Sequence, residues 1–220
     1  MSVSFRIREA VAGDVLGASE VIRTAYLEGD AFYKKEECRC RVDLAGEAVR
    51  AMLAPEHQGV LLVAVGGGAQ GGVGEGEGGD GEGDVVMGAV HCEWPSAAEG
   101  GTIPGWAGGG RRRVWSFGML AVPARSGGHG AGRALVSAAL ARLRQQKAAV
   151  AAAGGVDGSA EVEIDVMVTL GNRPRNLLGW YAGQGFSKRG AEAHCWWQMF
   201  GVVHPDWEGK VMVQRMGQPL

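Results

Sequence analysis

The chain has 220 residues, 46% of them hydrophobic, and a formal net charge of −2. This size and composition indicate a single globular domain spanning residues 1–220. Its 22 basic residues are balanced by 24 acidic ones, so we expect no nucleic-acid partner bound through bulk positive charge. No apolar run reaches the ~18 residues of a membrane span, and the first residues lack the apolar core of a signal peptide. We therefore expect a cytoplasmic protein with no membrane partner. Its four cysteines have neither metal-binding nor disulfide spacing, and we expect no metal.

The amino-terminal part predicts one strand and two helices. Residues 4–7 alternate as in a short strand. Asp14 is placed to cap the helix after it, since its carboxylate can accept the free N–H groups of a first turn. Apolar residues at helical spacing then continue to Gly29. A second helix is predicted over 43–54, where Pro55 ends it.

Two β-rich runs, 60–65 and 85–92, predict the next two strands. Residues 66–84 between them are glycine-rich, acidic and nearly free of large apolar groups. Burial in such a segment cannot offset the entropy that is lost on ordering it. We therefore expect a disordered insertion in a hairpin, and a second loose stretch over 96–113.

The central part predicts a strand over 114–122, a helix over 131–147, a loop over 148–160 and a strand over 161–170. Strand, helix and strand in this order favour a parallel crossover. The first of these strands has two alternating faces. One face carries Val114, Ser116, Gly118, Leu120 and Val122, and the other carries Trp115, Phe117, Met119 and Ala121.

The carboxy-terminal part adds a short helix and two closing strands. Pro174 suits the first turn of the helix, and Gly185 fits just past its end. The closing strands are predicted over 194–200 and 211–216. Together these elements predict the α/β class, with a mixed sheet flanked by helices.

A glycine-rich segment, Gly127 to Gly132, joins the strand over 114–122 to the helix over 131–147. We call this segment the glycine turn. The first N–H groups of a helix lack internal partners and carry partial positive charge. Glycines let such groups approach phosphate oxygens closely. The turn therefore predicts a phosphate cradle, unless its glycines are only structural. It is not a P-loop, because no Lys-Ser or Lys-Thr comes after it, and Arg133 stands where G-x-G-x-x-G needs its third glycine.

Two separate motifs resemble the GNAT superfamily of N-acetyltransferases. The first is Val122-x-Pro, the glycine turn and Arg133-Ala-Leu, which is similar to the family's acetyl-CoA signature, with Gly127 where the family usually has Arg or Gln. The second runs from Asn176 to Phe186 and resembles the family's helix with a Tyr, three residues and Gly-Phe. The resemblance implies the GNAT fold, a mixed and mostly antiparallel sheet flanked by helices, and an acyltransferase that uses acetyl-CoA.

The resemblance also implies how acetyl-CoA, as co-substrate, is bound. The pantetheine arm is expected along the strand over 114–122, and the pyrophosphate at the glycine turn. A backbone N–H near Leu120 would then stabilise the oxyanion. The expected cofactor-binding residues are Leu120, Val122, Arg125, Gly127, Gly128, Gly130, Ala131, Gly132, Arg133 and Asn176.

Transfer to an amine requires an acid and a base. Tyr181 matches the family's tyrosine near the CoA sulfur, which implies a general acid for the departing thiolate; the alternative is a core tyrosine on a helical stripe. An alkyl ammonium has a pKa near ~10.4 and must lose a proton before it attacks. We predict Glu93 and His91 as the residues that remove it, with Glu163 and Asp165 as alternatives.

The acceptor is expected to be a small-molecule primary amine that attacks the thioester directly in a ternary complex, since the chain has no appended peptide-reading module. The alternatives are a protein Nα- or lysine acetyltransferase, a non-catalytic acyl-CoA-binding module and a glycine-rich α/β protein without CoA. Tyr26 and Tyr33 flank the first helix, which in the family often lines the acceptor site. We expect a monomer or homodimer.

Overall fold

The computed structural model describes residues 4–29, 40–66, 84–94, 115–154, 161–169, 176–190, 193–194 and 211–220. These residues build one mixed sheet of eight strands. In space the strands lie in the order β1-β2-β3-β4-β5-β8-β6, and β7 also pairs with β8. The strands are β1 Phe5–Glu9, β2 Gly59–Gly66, β3 Val85–Glu93, β4 Trp115–Ala121, β5 Glu161–Thr169, β6 Ser187–Lys188, β7 Ala193–His194 and β8 Val211–Pro219.

Helices cover both faces of the sheet. They are α1 Val15–Gly29, α2 Cys40–Asp43, α3 Ala45–Met52, α4 Ala131–Ala152 and α5 Leu177–Ala182. One core lies between the sheet and α1 and α3, and includes Ile22, Val49 and Leu61. The other lies between the sheet and α4, and includes Leu135 and Trp115. The predicted apolar stripe of α4 is buried as expected, because its members recur every three or four residues.

β4 and β5 form the only parallel pair among the described strands. Together with α4 they make the predicted crossover. Only Trp115 with Val162 and Ser116 with Glu163 are paired, although both strands continue past these residues. On its other edge β5 is paired along its whole length with β8. We call the gap between residues 117–121 of β4 and 164–169 of β5 the wedge.

A bulge interrupts β4 and corrects the predicted faces of this strand. His91 of β3 pairs with Gly118 and Ala89 with Ala121, so β4 has one extra residue between the two pairs. Met119 takes up the irregularity with a φ of 47°. As a result Met119 and Ala121 pack on the α1 side, whereas Phe117 packs on the α4 side. The prediction that Trp115, Phe117, Met119 and Ala121 share one face is therefore wrong beyond Gly118.

Several predicted boundaries also differ from the structure. The predicted second helix is divided into α2 and α3 at Leu44, whose ψ of 10° is not helical. α4 continues to Ala152 through a segment predicted as a loop, because alanine has the highest helix propensity. Asp14 does not cap α1: its carboxylate accepts from the preceding backbone at Val11. Among the predictions that lie largely outside the described residues are the insertion over 66–84, the stretch over 96–113, Pro174 and most of the strand over 194–200. No helix of the described chain is long and apolar enough to span a membrane.

Candidate active site

The glycine turn stands where β4 ends and α4 begins, next to the wedge. Gly128 and Gly130 have φ values of 75° and 84°, which L side chains rarely adopt. A Cβ atom at either position would have no atom within 4 Å. No side chain caps α4, whose N-cap residue is Gly130. The first turn of α4 therefore has backbone N–H groups without a capping side chain and open space before it, which fits a phosphate group.

The other predicted cofactor-binding residues near the turn have different surroundings. Gly127 is folded against its own turn, because its N–H donates to the carbonyl oxygen of Ala124 over 3.0 Å. Arg125 is exposed and close enough to Glu20 of α1 to lower the pKa of that carboxyl. Arg133 is exposed on α4, and Ala131 is buried beneath it.

Two further predicted residues lie at the end of β4. Leu120 and Val122 are half-buried and pack on the α4 side. Within the described chain β4 has no strand partner on the β5 side beyond Ser116. This length of backbone borders the wedge, as a bound pantetheine arm would require.

α5 packs against the start of α4 and against β5. The Trp180 ring is 3.6 Å from where a Cβ atom on Gly132 would stand. Asn176 begins α5 and accepts a hydrogen bond from the N–H of Gly179 over 3.1 Å. Its side chain therefore caps the helix in this structure, and its predicted contact with acetyl-CoA stays a prediction.

Tyr181 is held in place by aromatic neighbours on α5 and after it. Its ring makes edge contacts with Trp180 and Phe186 at centroid distances of 4.8 and 5.9 Å. Burial raises the pKa of the Tyr181 phenol, and the phenol of Tyr26 on α1 raises it further. The hydroxyl is therefore protonated at neutral pH. Tyr181 belongs to the α4 layer and Tyr26 to the α1 layer. The ring of Phe186, which Tyr181 contacts, also contacts Phe117 of β4 at a centroid distance of 5.7 Å, so one ring separates Tyr181 from the edge of the wedge.

The second predicted group lies at the end of β3, on the face that α1 and α3 cover. Nδ1 of His91 is 3.6 Å from Oε1 of Glu93. Burial raises the pKa of the Glu93 carboxyl, and the Ser116 hydroxyl, which donates a hydrogen bond to it, lowers that pKa. His91 is fully buried, which lowers its pKa to about 3. Because His91 has no exposed surface, any part it has in proton removal must act through Glu93 or another neighbour.

Sequence reasoning missed the partner of His91. Nε2 of His57, on the turn between α3 and β2, lies 2.6 Å from Nε2 of His91. Only the pairing of β2 with β3 brings these two residues together, because they are far apart in the sequence. Of the alternative bases, Glu163 is near Arg215 at 3.7 Å, and the side chain of Asp165 lies outside the described part, as does Tyr33.

The comparisons with known proteins address the fold. No family model and no curated protein matches the sequence. A GCN5-related N-acetyltransferase from Kribbella flavida matches with a TM-score of 0.58 and 16% identity over 98% of each chain. A GNAT-family acetyltransferase from Staphylococcus aureus Mu50 matches with a TM-score of 0.57 and 8% identity over 99% of each chain. Spermidine N-acetyltransferase from Vibrio cholerae, solved with CoA and spermine, matches with a TM-score of 0.55 and 14% identity over 98% of this chain and 95% of its own.

The fold and the site together define a mixed-sheet protein with a gap between two parallel strands and a glycine turn at the start of the helix that connects them. This is the fold of the GNAT acetyltransferases, as the two sequence motifs implied. At these identities the likeness concerns the fold.

Proposed function

We propose that the protein transfers an acetyl group from acetyl-CoA to a primary amine. The observation that carries this proposal is the wedge, which has the open glycine turn at one end and Tyr181 beside it. An elongated ligand with a phosphate group at one end and a thioester at the other fits this combination. The spermidine N-acetyltransferase of the same fold binds CoA together with an amine, which supports the choice of both substrates.

The glycine turn and the end of β4 would hold acetyl-CoA. Gly128 and Gly130 leave the first N–H groups of α4 open to a pyrophosphate, and Arg125 and Arg133 are exposed nearby. The backbone of β4 around Leu120 would bind the pantetheine amides. Because the bulge at Met119 reorients this backbone, an N–H there is available to the oxygen that becomes negative during attack.

Glu93 is the base of the proposed reaction. Its carboxylate accepts one proton from the ammonium group of the acceptor, either directly or through a water molecule. Burial raises its pKa above the ordinary range, which brings its basicity closer to that of the amine. The resulting free amine forms the new N–C bond as the C–S bond of the thioester breaks.

Tyr181 is the acid. Its protonated phenol donates a hydrogen bond to the departing sulfur and gives it the proton. The phenolate that remains then takes the second proton that the nitrogen loses as the amide forms. The burial that raises the pKa of Tyr181 also disfavours a free thiolate at the same place. Burial therefore raises the pKa of the phenol that donates the proton and of the thiol that receives it, so the proton transfer between them stays feasible.

A small-molecule amine is the proposed acceptor. The choice is supported by the spermidine N-acetyltransferase of the same fold, which was solved with the small amine spermine. Protein Nα- or lysine acetylation is the alternative within the same chemistry, and a non-catalytic acyl-CoA-binding module is the alternative outside it. All three use the glycine turn, and they differ in the fate of the acetyl group once acetyl-CoA is bound.

The test measures acetyl-CoA binding by calorimetry and then free-thiol release in the same sample with a panel of small amines and a lysine peptide. Amine-dependent release supports the proposal, and preference for the peptide would move it to a protein acetyltransferase. Binding without release from any acceptor would indicate the non-catalytic module. Absence of binding would contradict the proposal altogether.

Tyr181→Phe separates chemistry from binding. This change removes the hydroxyl but keeps the ring that packs on Phe186. We expect kcat to fall by about 100-fold or more, the usual contribution of a general acid, while the Kd of acetyl-CoA stays within about twofold. Phe186→Leu is the matched control, because it alters the same aromatic contact without removing a proton donor. A kcat that survives Tyr181→Phe would exclude Tyr181 as the acid.

A further inference from the structure

The contact between His57 and His91 constrains where protons reside on both rings. A separation of 2.6 Å between two Nε2 atoms is a hydrogen bond, so one nitrogen carries the proton and the other is bare. Burial lowers the pKa of both imidazoles, so both rings are neutral at pH 7. A neutral imidazole has one N–H. The choice of donor in this contact therefore fixes the tautomer of each ring.

The chain makes room for this contact with a glycine. A Cβ atom on Gly59 would lie 2.7 Å from Nε2 of His57, 3.0 Å from Nε2 of His91 and 2.4 Å from the carbonyl oxygen of Cys92. Any other residue at position 59 would crowd both rings and this carbonyl oxygen. Gly59 is also directly opposite Glu93 in the pairing of β2 with β3, so the same glycine leaves space beside that carboxylate.

The other nitrogen of His91 decides between the two tautomers. Nδ1 of His91 is buried and makes no hydrogen bond, and Oε1 of Glu93 is 3.6 Å away. A bare Nδ1 would point a lone pair at a carboxylate oxygen, whereas an Nδ1–H would point a donor at it. The second arrangement is favoured whenever Glu93 is ionised. It requires the Nε2 of His91 to be the acceptor, and hence His57 to be the donor.

We propose that His57 fixes His91 as the Nδ1–H tautomer, and that His91 in this form orients the Glu93 carboxylate for proton removal from the amine. His57 and His91 are then positioning residues, and Glu93 alone contacts the substrate. This inference rests on the proposed function. The separation of 3.6 Å between Nδ1 of His91 and Oε1 of Glu93 exceeds hydrogen-bond length, and contacts of this kind often shorten when substrate binds.

Two donors then approach the Glu93 carboxylate from different strands. His91 approaches along β3, and the Ser116 hydroxyl approaches from β4. The turn before β2 contributes His57 itself and Glu56, which affects the pKa of His57. α1 and α3 cover the apolar part of this face, while Arg142 and Glu9 act on Cys92 from the opposite face. Ser116 hydrogen-bonds the charged oxygen and so favours the ionised form of Glu93, and His91 would do the same once its contact shortens.

The first test reads the tautomers directly and does not depend on activity. Two-bond 15N–1H correlation spectra of the 15N-labelled protein distinguish a bare ring nitrogen from a protonated one, and His57→Gln and His91→Gln assign the two signals among the five histidines. We expect His91 to show Nδ1–H with a bare Nε2, and His57 to show Nε2–H. A protonated Nε2 on His91 would overturn the proposal, even in an active enzyme.

The second test uses two variants of His57. His57→Leu keeps the volume but has no donor, whereas His57→Gln places an amide N–H near the position of the original Nε2. In His57→Leu we expect kcat/KM to fall about tenfold, the size of one lost hydrogen bond in a charged network, while the Kd of acetyl-CoA is unchanged. The acidic limb of the kcat/KM profile should move to higher pH, because the carboxylate loses a donor that stabilised its charged form. His57→Gln should restore most of both quantities.

A structural role of His57 gives a different result. If the leucine and glutamine variants lose activity equally, with no shift of the acidic limb, His57 only fills space and the proposal is overturned. Urea unfolding of both variants identifies a loss that comes from misfolding. If no acceptor supports thiol release, the proposed function fails by itself, and the spectra still decide the tautomers.

Discussion

At the scale of single residues, Asp14 shows how one carboxylate can join two elements. Its oxygens accept from both terminal nitrogens of Arg8 at 2.6 and 2.9 Å, and from the N–H of Val11 at 2.8 Å. Asp14 is buried, so little water competes for these bonds. The sequence predicted Asp14 as a cap of α1, which is wrong, because pairing with Arg8 of β1 and with the Val11 backbone occupies its carboxylate.

The hydrogen bonds from Arg8 lower the pKa of Asp14, and this gives a stability prediction with a defined sign. A carboxyl whose folded-state pKa lies below its unfolded value stabilises the protein above the unfolded pKa of about 3.9 and loses that effect as pH falls through the folded pKa. Asp14→Asn should therefore lower the free energy of unfolding at pH 7 by about 2 kcal/mol. Near pH 3 the difference from the unchanged protein should shrink.

Urea unfolding at pH 7 and pH 3 measures this effect. Glu20→Gln is the control, because Glu20 pairs with Arg23 over 2.8 Å on the exposed side of α1. Such an exposed pair contributes only about 0.5 kcal/mol. Equal losses for Asp14→Asn and Glu20→Gln would mean that burial adds nothing to the Asp14 contacts.

At the scale of elements, the glycine turn and the bulge in β4 differ in how far the sequence predicts them. The turn was predictable because glycines and the start of an apolar stripe are local signals. The bulge was not, because Met119 is an ordinary strand residue whose φ of 47° is imposed by pairing with β3. His57 escaped notice for a similar reason, since its partner is reached only through the sheet.

An alanine substitution at Gly130 tests how much strain the backbone at the start of α4 would impose on an ordinary residue. An alanine at position 130 would touch nothing within 4 Å, but it would have to adopt a φ of 84°. Gly130→Ala should lower the free energy of unfolding by about 1 kcal/mol through this strain alone. We also expect weaker acetyl-CoA binding, because the first turn of α4 would relax from its present geometry.

Gly13→Ala is the control for that experiment. Gly13 is also exposed with open space around it, but its φ lies outside the left-handed region. Replacing it should leave the free energy of unfolding unchanged or raise it slightly. If the two substitutions have the same effect in urea unfolding, the left-handed φ at position 130 is not the reason that a glycine is needed there.

At the scale of the whole molecule, the sequence predicted the class of fold, the crossover and six of the eight strands of the described sheet, although some boundaries differ. The strand predicted over 194–200 shares only His194 with β7. β6 was missed because two residues are too short for any periodic pattern. The wedge was not predictable from composition or periodicity, since it depends on where two distant strands stop pairing.

The segment between β2 and β3 gives a prediction about the whole chain. Gly66 and Val85 are paired directly, so the strands that flank residues 67–84 are already as close as a tight hairpin requires. Replacing 67–84 by Asn-Gly, which suits a two-residue hairpin turn, should leave the urea midpoint unchanged. It should also keep kcat/KM within about twofold of its original value. The new chain loses the ion pairs of Asp84 with Arg6 and with Arg8, which are open to solvent and contribute little.

Asp84→Asn, with the segment intact, is the control for the lost ion pairs. If the shortened chain shows a higher KM for either substrate while Asp84→Asn does not, residues 67–84 take part in binding. That result would contradict the expectation, from their composition, that they form a passive insertion. A lower urea midpoint in the shortened chain alone would mean that the segment supports the fold.

The position of β8 bears on how the protein is made. β8 comes after β5, β6 and β7 in the chain, yet it pairs with all three of them. During synthesis β5 therefore leaves the ribosome well before the strand that completes its pairing. Until then its only described strand contact is the short pairing with β4, and its apolar residues Val162, Ile164 and Val166 lack a complete sheet. This half of the molecule therefore cannot complete its sheet until β8 has been synthesised. Until then its unpaired strand edge is exposed, and nascent chains of this kind are prone to aggregate.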